Sequence, residues 1–156
     1  MINYTPVITD EIYKKLSLTL ISKIKEEGNQ WYPDITIGIT RGGLPLATKL
    51  SHYLDIPMET WKVALRDNTR IDPCPVSNEN DQKILIVEDI NDLGQTLFTI
   101  DDILKTSGFN MKNVRYAVLI DNEFSLFKKV TYWGEKVKKG TEDPFIYFPW
   151  EKQPEG

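Results

Sequence analysis

The chain is poor in the residues that most often carry chemistry, with one cysteine and one histidine in 156 residues. Cys74 by itself excludes an intrachain disulfide and a thiolate metal cage. His52 lies in the helical pattern LATKLSHYLD and reads as a helix-surface residue rather than a catalyst. No apolar run approaches the roughly 18 residues that cross a bilayer, and the opening MINYTPVITDEIYKK lacks an apolar core behind a basic start, so the expectation is a cytoplasmic protein. Basic excess is also missing. Nineteen Lys and Arg against 23 Asp and Glu argue against broad adhesion to nucleic acid or anionic membrane, while leaving room for a locally basic pocket. Chemistry therefore falls to carboxylates, backbone amides, Arg, Lys and an added metal.

What is present reads as one globular domain over 1–156, with 40% hydrophobic and 27% charged residues. Ile12, Leu16, Leu20 and Ile24 recur at four-residue spacing, which predicts an amphipathic helix with Thr9 and Asp10 at its start and Gly28 ending it in a left-handed turn. ITIGI follows as a short strand, then TRGG, then a helix from about Leu44 to Leu54. A further strand is expected within Ile56 to Leu65. Arg66 to Gln82, RDNTRIDPCPVSNENDQ, has two prolines, three asparagines and almost no periodic apolar residue, so it reads as a long loop, functional lid or floppy insertion. Beyond it come a strand at Lys83 to Val87, a helix from about Gln95 to Thr106 stopped by Gly108, and a strand at Val114 to Ile120. VTYWG and PFIYFPW add short extended pieces. Strands alternating with helices predict right-handed crossovers and an α/β fold, a mainly parallel central sheet flanked by helices in three layers.

The segment ILIVEDINDLGQT, Ile84 to Thr96, sets three carboxylates, Glu88, Asp89 and Asp92, against a glycine turn of the kind that welcomes anions. One reading is structural: Asp92 caps the helix, and the other two acids face solvent near a positive helix terminus. A second likens the strand to the metal-binding strand of P-loop nucleotidases, but G-x-x-x-x-G-K-[ST] is absent. A third likens KILIVEDI to the first strand of a receiver domain, which would have to begin near Lys83 with too little chain to follow.

The fourth reading is a resemblance. ILIVEDINDLGQT resembles the phosphoribosyl-pyrophosphate (PRPP) signature of type I phosphoribosyltransferases, an apolar strand, two acids, two variable residues, then Asp-Thr-Gly-x-Thr. Glu88 stands for the usual aspartate and Leu93 for the usual threonine, leaving only a backbone N–H at that position. ITIGITRGGLPLATKLSHYLDIP resembles the family's pyrophosphate loop, and PFIYFPWE resembles the segment that closes the base site in the small xanthine-guanine and hypoxanthine enzymes. These motifs follow the family's order from Ile35 to Glu151.

The resemblance implies a site for each part of PRPP. Leu93, Gly94, Gln95 and Thr96 would cradle the 5′-phosphate at a helix start. Glu88 and Asp89 would take the ribose hydroxyls and Mg²⁺. Thr40, Arg41, Gly42 and Gly43, with Arg66 or Arg70 from the 66–82 loop closing over the site, would take pyrophosphate. In related enzymes the peptide before this arginine is often cis. Asp92 would act as general base on the incoming purine.

The C-terminal segment, about 130–151, would hold the base, with Phe145 stacking and the Ile146 backbone reading an exocyclic group; Phe148 and Trp150 read as core. Family members that use 6-oxopurines place a lysine just after the strand YAVLID, where this chain has Asp121 followed by Asn122, and a shifted alignment would bring Lys128 or Lys129 nearby. The segment favours guanine, hypoxanthine or xanthine; the missing lysine leaves adenine or a pyrimidine as alternatives. A nucleotide-sensing regulator on the same fold is the remaining alternative, against which Asp92 and Arg41 argue. Related small enzymes are commonly homodimers or homotetramers.

Overall fold

Three helices and six strands account for the regular structure of the computed structural model, which describes residues 3–66 and 68–154. The ends of the expected 1–156 domain and Asp67 of the expected loop lie outside the described residues.

Helix α1 (Asp10–Glu26) begins on Thr9, whose side chain accepts from the Ile12 N–H at 3.2 Å, and buries Leu16, Leu20, Ile21 and Ile24. It ends differently from expectation. Glu27 closes it at φ −88°, and Gly28 donates back to the Lys25 carbonyl at 3.1 Å in a tight turn that needs no left-handed residue. Strand β1 (Ile35–Thr40) leads into helix α2 (Leu44–Leu54), with Pro45 in its first turn, where the missing N–H costs nothing. His52 is exposed near the end of α2, as its position in the pattern predicts. Strand β2 (Met58–Ala64) follows within the expected window.

The 66–82 segment is more ordered than its composition predicts. Strand β3 (Arg70–Ile71) pairs antiparallel with β2, Trp61 Nε1 donates to the Asp72 carbonyl at 2.7 Å, and a short helical turn at Asn78–Asn80 is tied to Ser107 by Asn78. The first two close a local hairpin, while the Asn78 bond spans 29 positions, which a local propensity reading does not see.

Strand β4 (Ile84–Asn91) runs well past Val87, where its apolar run ends. Strand β5 (Val114–Asn122) provides the reason, because the parallel register continues through Glu88↔Val118, Ile90↔Ile120 and Asn91↔Asp121, so ladder hydrogen bonds outweigh the poor strand propensity of the acids. Between them, helix α3 (Gln95–Thr106) has the expected bounds and is followed by Gly108 at φ +83°. Strand β6 (Tyr132–Val137) completes a sheet of order β3-β2-β1-β4-β5-β6, parallel except for β3. PFIYFPW is not a further strand of this sheet. It is pinned by an isolated parallel bridge to the N-terminal segment, with Ile8 donating to the Tyr147 carbonyl and Tyr147 to the Pro6 carbonyl, each at 2.8 Å.

One face of the sheet is sealed by α1 and α2, whose Leu20, Ile24, Leu46 and Leu50 are fully buried against Leu85, Val87 and Leu119. The other is sealed by α3, whose Leu97, Ile100 and Leu104 meet Ile37, Ile39, Ile86 and Val118. From β1 the chain crosses to β2 on one side, and from β4 it crosses to β5 on the other. The carboxyl ends of β1 and β4 therefore flank a topological switch point, where open parallel sheets leave a crevice. No helix among the described residues is long and apolar enough to cross a membrane.

The close approach of α2 to β1 depends on Gly38, where an added Cβ would sit 2.7 Å from the Ala47 Cβ. Gly38→Val should therefore cost on the order of 3 kcal/mol by overpacking. That corresponds to a fall in Tm of roughly 6 °C or more for a chain of this length, read by calorimetry; an unchanged Tm would contradict this packing.

Candidate active site

A cleft of about 370 Å³ opens at the switch point, walled by the end of β4, the turn into α3, the end of β2 through Arg66, and the C-terminal residues Phe145, Ile146, Phe148 and Glu151. Every residue from Glu88 to Leu97 lines it. The acidic stretch and the glycine turn thus share one cavity.

Glu88 and Asp89 stand half-buried on its floor. Each bends back onto the chain: Glu88 Oε1 accepts from the Asp89 N–H at 2.9 Å and Asp89 Oδ1 from the Ile90 N–H at 2.7 Å. Neither is paired with a Lys or Arg among the described residues. Burial holds the Glu88 carboxyl well above its usual range, with the Asp89 charge adding to it. Burial likewise pushes Asp89 up to about 6 against an ordinary 3.8, hydrogen bonds opposing and the Glu151 charge assisting. Two such carboxylates hold negative charge reluctantly, and a cation would relieve them. The backbone of Gly42 lies directly against the Asp89 carboxylate and that of Gly43 against the Val87 carbonyl, which leaves no room for a side chain at either position and brings the 40–43 turn beside the acids.

The start of α3 forms the opposite pole. Gly94 is its cap residue at φ +97°, and no side chain caps the helix, so the first N–H groups of Gln95, Thr96 and Leu97 face the cleft with the positive end of the dipole behind them. Leu93 is exposed, consistent with a backbone role only. A second reason for glycine at 94 comes from the loop after β5: an added Cβ would lie 2.6 Å from both the Phe127 nitrogen and Ser125 Oγ.

That loop explains Asp121, which the structure does not bring to the cleft. Its buried carboxylate accepts from Asn91 Nδ2 at 2.9 Å, and burial raises its pKa. Asn91 also donates to the Phe127 carbonyl at 3.0 Å and accepts from Ser125 Oγ at 2.8 Å, so Asp121 fixes the loop that supports Gly94. Lys128 and Lys129 turn elsewhere, to the Glu123 carbonyl and to Asp101.

The residue that sequence reasoning missed is Lys139. It follows β6 in no regular element, is 6% exposed, and extends its Nζ to Asp92 Oδ2 at 3.1 Å and Oδ1 at 3.4 Å. Asn122 clamps both partners. Its Nδ2 donates to the Lys139 carbonyl at 2.8 Å and to Asp92 Oδ1 at 3.2 Å, while its Oδ1 accepts from the Lys139 N–H at 2.9 Å. The only signal in the sequence was a Lys pair before Gly140, indistinguishable from a solvated charge run. Phe145, 61% exposed, presents its ring 5.6 Å from the same Nζ. Ile146 is buried beside it, and Phe148 is core, stacked on Trp150 at 5.1 Å.

Of the expected pyrophosphate residues, Thr40 ends β1 with its peptide to Arg41 cis, and Arg41 is exposed, paired with no carboxylate among the described residues. Arg66 lines the cleft, whereas Arg70 lies on β3 and pairs with Asp72 at 2.9 Å.

The sequence pattern of the phosphoribosyl transferase domain family matches residues 8–151. The chain is similar in structure to a purine phosphoribosyltransferase from Pyrococcus horikoshii Ot3, at 29% identity and TM-score 0.76, over 95% of each chain. It also shares its fold with the xanthine-guanine-hypoxanthine phosphoribosyltransferase of Helicobacter pylori, at 22% identity and TM-score 0.71 over 93% of this chain and 92% of that one. A third likeness of fold is to the hypoxanthine phosphoribosyltransferase of Trypanosoma cruzi in complex with IMP, at 17% identity and TM-score 0.65 over 81% and 77%. No curated protein matches in sequence.

The acid pair makes a prediction for the protein without divalent cations. A carboxyl whose folded pKa is raised binds more protons folded than unfolded, so its contribution to stability falls as pH rises through the window, here about 4 to 6 for Asp89, and stays low above it. Glu88→Gln removes one charge and keeps the acceptor. Its Tm should exceed wild type at pH 7 by about 2 °C or more, with the difference shrinking towards pH 4.5; groups such as Glu27 and Asp101, whose pKa values are lowered, cancel in the comparison. A variant less stable at pH 7 would show that the pair is not under electrostatic stress.

Proposed function

The chain belongs to the phosphoribosyl transferase domain family, and we propose that it transfers the phosphoribosyl group of PRPP to a purine base, giving the nucleoside 5′-monophosphate and pyrophosphate and so returning free base to the nucleotide pool. The observation that carries this reading is Asp92, which stands in one cleft between the uncapped start of α3 and the exposed ring of Phe145, with the Glu88–Asp89 pair on the floor. Phosphate, sugar and base would each meet the chemistry they need within one cavity.

The N–H groups of 95–97 and the dipole of α3 would bind the 5′-phosphate. Glu88 and Asp89 would accept from the ribose hydroxyls. The same pair suits Mg²⁺, being half-buried, without a cationic partner and raised in pKa. No group of three or more metal-ligating side chains occurs among the described residues. When bound, that ion would neutralise the pyrophosphate leaving group. Arg41 and Arg66 supply fixed charge for the same phosphates.

Phe145 offers its face to a planar base. As N9 of the base forms a bond to C1 of the ribose and the bond from C1 to the pyrophosphate oxygen breaks, the proton on N7 passes to an Asp92 oxygen. Asp92 keeps its orientation because Asn122 and Lys139 hold it from behind.

Incubation with PRPP, Mg²⁺ and a panel of bases should release pyrophosphate only when a purine is present. Asp92→Asn should lower kcat by 10²- to 10⁴-fold while leaving PRPP affinity within about tenfold of wild type. Full activity in that variant would remove Asp92 from its role, and PRPP binding without release for any base would favour a nucleotide-sensing regulator.

A further inference from the structure

We propose that Asp121 is a positioning residue for the 5′-phosphate: through Asn91 it locks the loop after β5 against the turn into α3, and that lock aims the Gly94 N–H into the cleft as a further phosphate donor. The inference rests on the transferase reading above and deepens its phosphate subsite.

The lock is a directed chain of hydrogen bonds. A carboxylate only accepts, so Asp121 can face nothing of the Asn91 amide but its Nδ2, at 2.9 Å. That orientation turns Asn91 Oδ1 to the Ser125 hydroxyl, which donates to it at 2.8 Å. With its proton engaged there, Ser125 Oγ is left to accept from the Phe127 N–H at 3.1 Å, while Asn91 Nδ2 also donates to the Phe127 carbonyl at 3.0 Å. Asp121, Asn91 and Ser125 are all buried, so removing one partner leaves the next group unsatisfied rather than returned to bulk water.

The loop so fixed presses on the turn. Leu126 donates its N–H to the Leu93 carbonyl at 3.1 Å, and an added Cβ at Gly94 would lie 2.6 Å from both Ser125 Oγ and the Phe127 nitrogen. The Leu93–Gly94 peptide is trans, and in a trans peptide C=O and N–H point in opposite directions. With the Leu93 carbonyl held by the loop, the Gly94 N–H is directed to the other side of the turn, where Gly94 lines the cleft. That N–H donates to no backbone acceptor among the described residues. Leu93 brings no hydroxyl, so at this position only the direction of the peptide can favour an anion.

Leu93–Gly94 is the one Leu-Gly pair in the sequence, so isotope labelling of leucine carbonyls and glycine nitrogens gives that amide a single NMR signal. Ribose 5-phosphate added to the wild-type chain should move the Gly94 amide proton downfield, as a new hydrogen bond to an anion does, and ribose should not. In Asp121→Ala the shift should shrink and the KM for PRPP should rise about tenfold or more, the worth of one hydrogen bond to a charged group, while kcat and the KM for the purine stay within about threefold. Ser125→Ala, which breaks the same chain one bond further on, should show the same split, and Asp121→Asn, which keeps an acceptor for Asn91, should recover most of the loss. A Gly94 amide that does not respond while ribose 5-phosphate binds by calorimetry overturns the proposal. So does an unchanged KM for PRPP in Asp121→Ala and Ser125→Ala, or a loss spread equally over kcat and both KM values. In each of these cases wild type still releases pyrophosphate, and the transferase reading stands. If wild type neither binds ribose 5-phosphate nor releases pyrophosphate with any base, both fall.

Discussion

The parallel pairing of β4 with β5 beyond the apolar part of β4 is the constraint on which the site depends. Left to local preference, Glu88, Asp89, Ile90 and Asn91 would form a loop, because acids and asparagine are poor strand formers. Held in register as far as Asn91↔Asp121, they become a rigid ledge at the rim of the sheet. From that ledge Glu88 and Asp89 project into the cleft, Asn91 reaches across to Asp121, Ser125 and Phe127, and the chain turns through Asp92 and Gly94 into α3. One strand end thus sets the positions of the acid pair, the uncapped amides of α3 and the Asp92 carboxylate.

Electrostatically the cleft is left incomplete in three places. Two acids crowd without a cation, a helix begins without a side-chain cap, and a buried lysine meets one carboxylate with donors to spare. Each would be remedied more cheaply by a local partner if stability alone were at stake: the acid pair calls for a cation, the helix start for an anion and the lysine for a further acceptor. Order elsewhere sustains them. The sheet is covered on both faces by apolar residues, and the site sits on the strand ends and a helix start rather than on a mobile loop.

The Phe145 side of the cleft is assembled from distant parts of the chain. Tyr4 donates to the Pro144 carbonyl at 2.6 Å and the N-terminal segment bridges Tyr147, so residues near one terminus hold the hood that carries Phe145. Asn122, at the end of β5, ties Lys139 and Asp92 together.

Much was legible in the residues themselves. The four-residue spacing of α1, the bounds of α3, the alternation of strands and helices, and the juxtaposition of acids with a glycine turn in ILIVEDINDLGQT all follow from short-range periodicity and turn chemistry, which act within a few residues and so are written locally. What only the tertiary structure decided lies at long sequence separation. The tie of Asn78 to the end of α3, the turning of Asp121 away from the cleft, and the arrival of Lys139 beside Asp92 across 47 positions depend on hydrogen bonds between remote segments. Such bonds are chosen by the need to satisfy every buried polar group at once, a condition that exists only when the chain is folded.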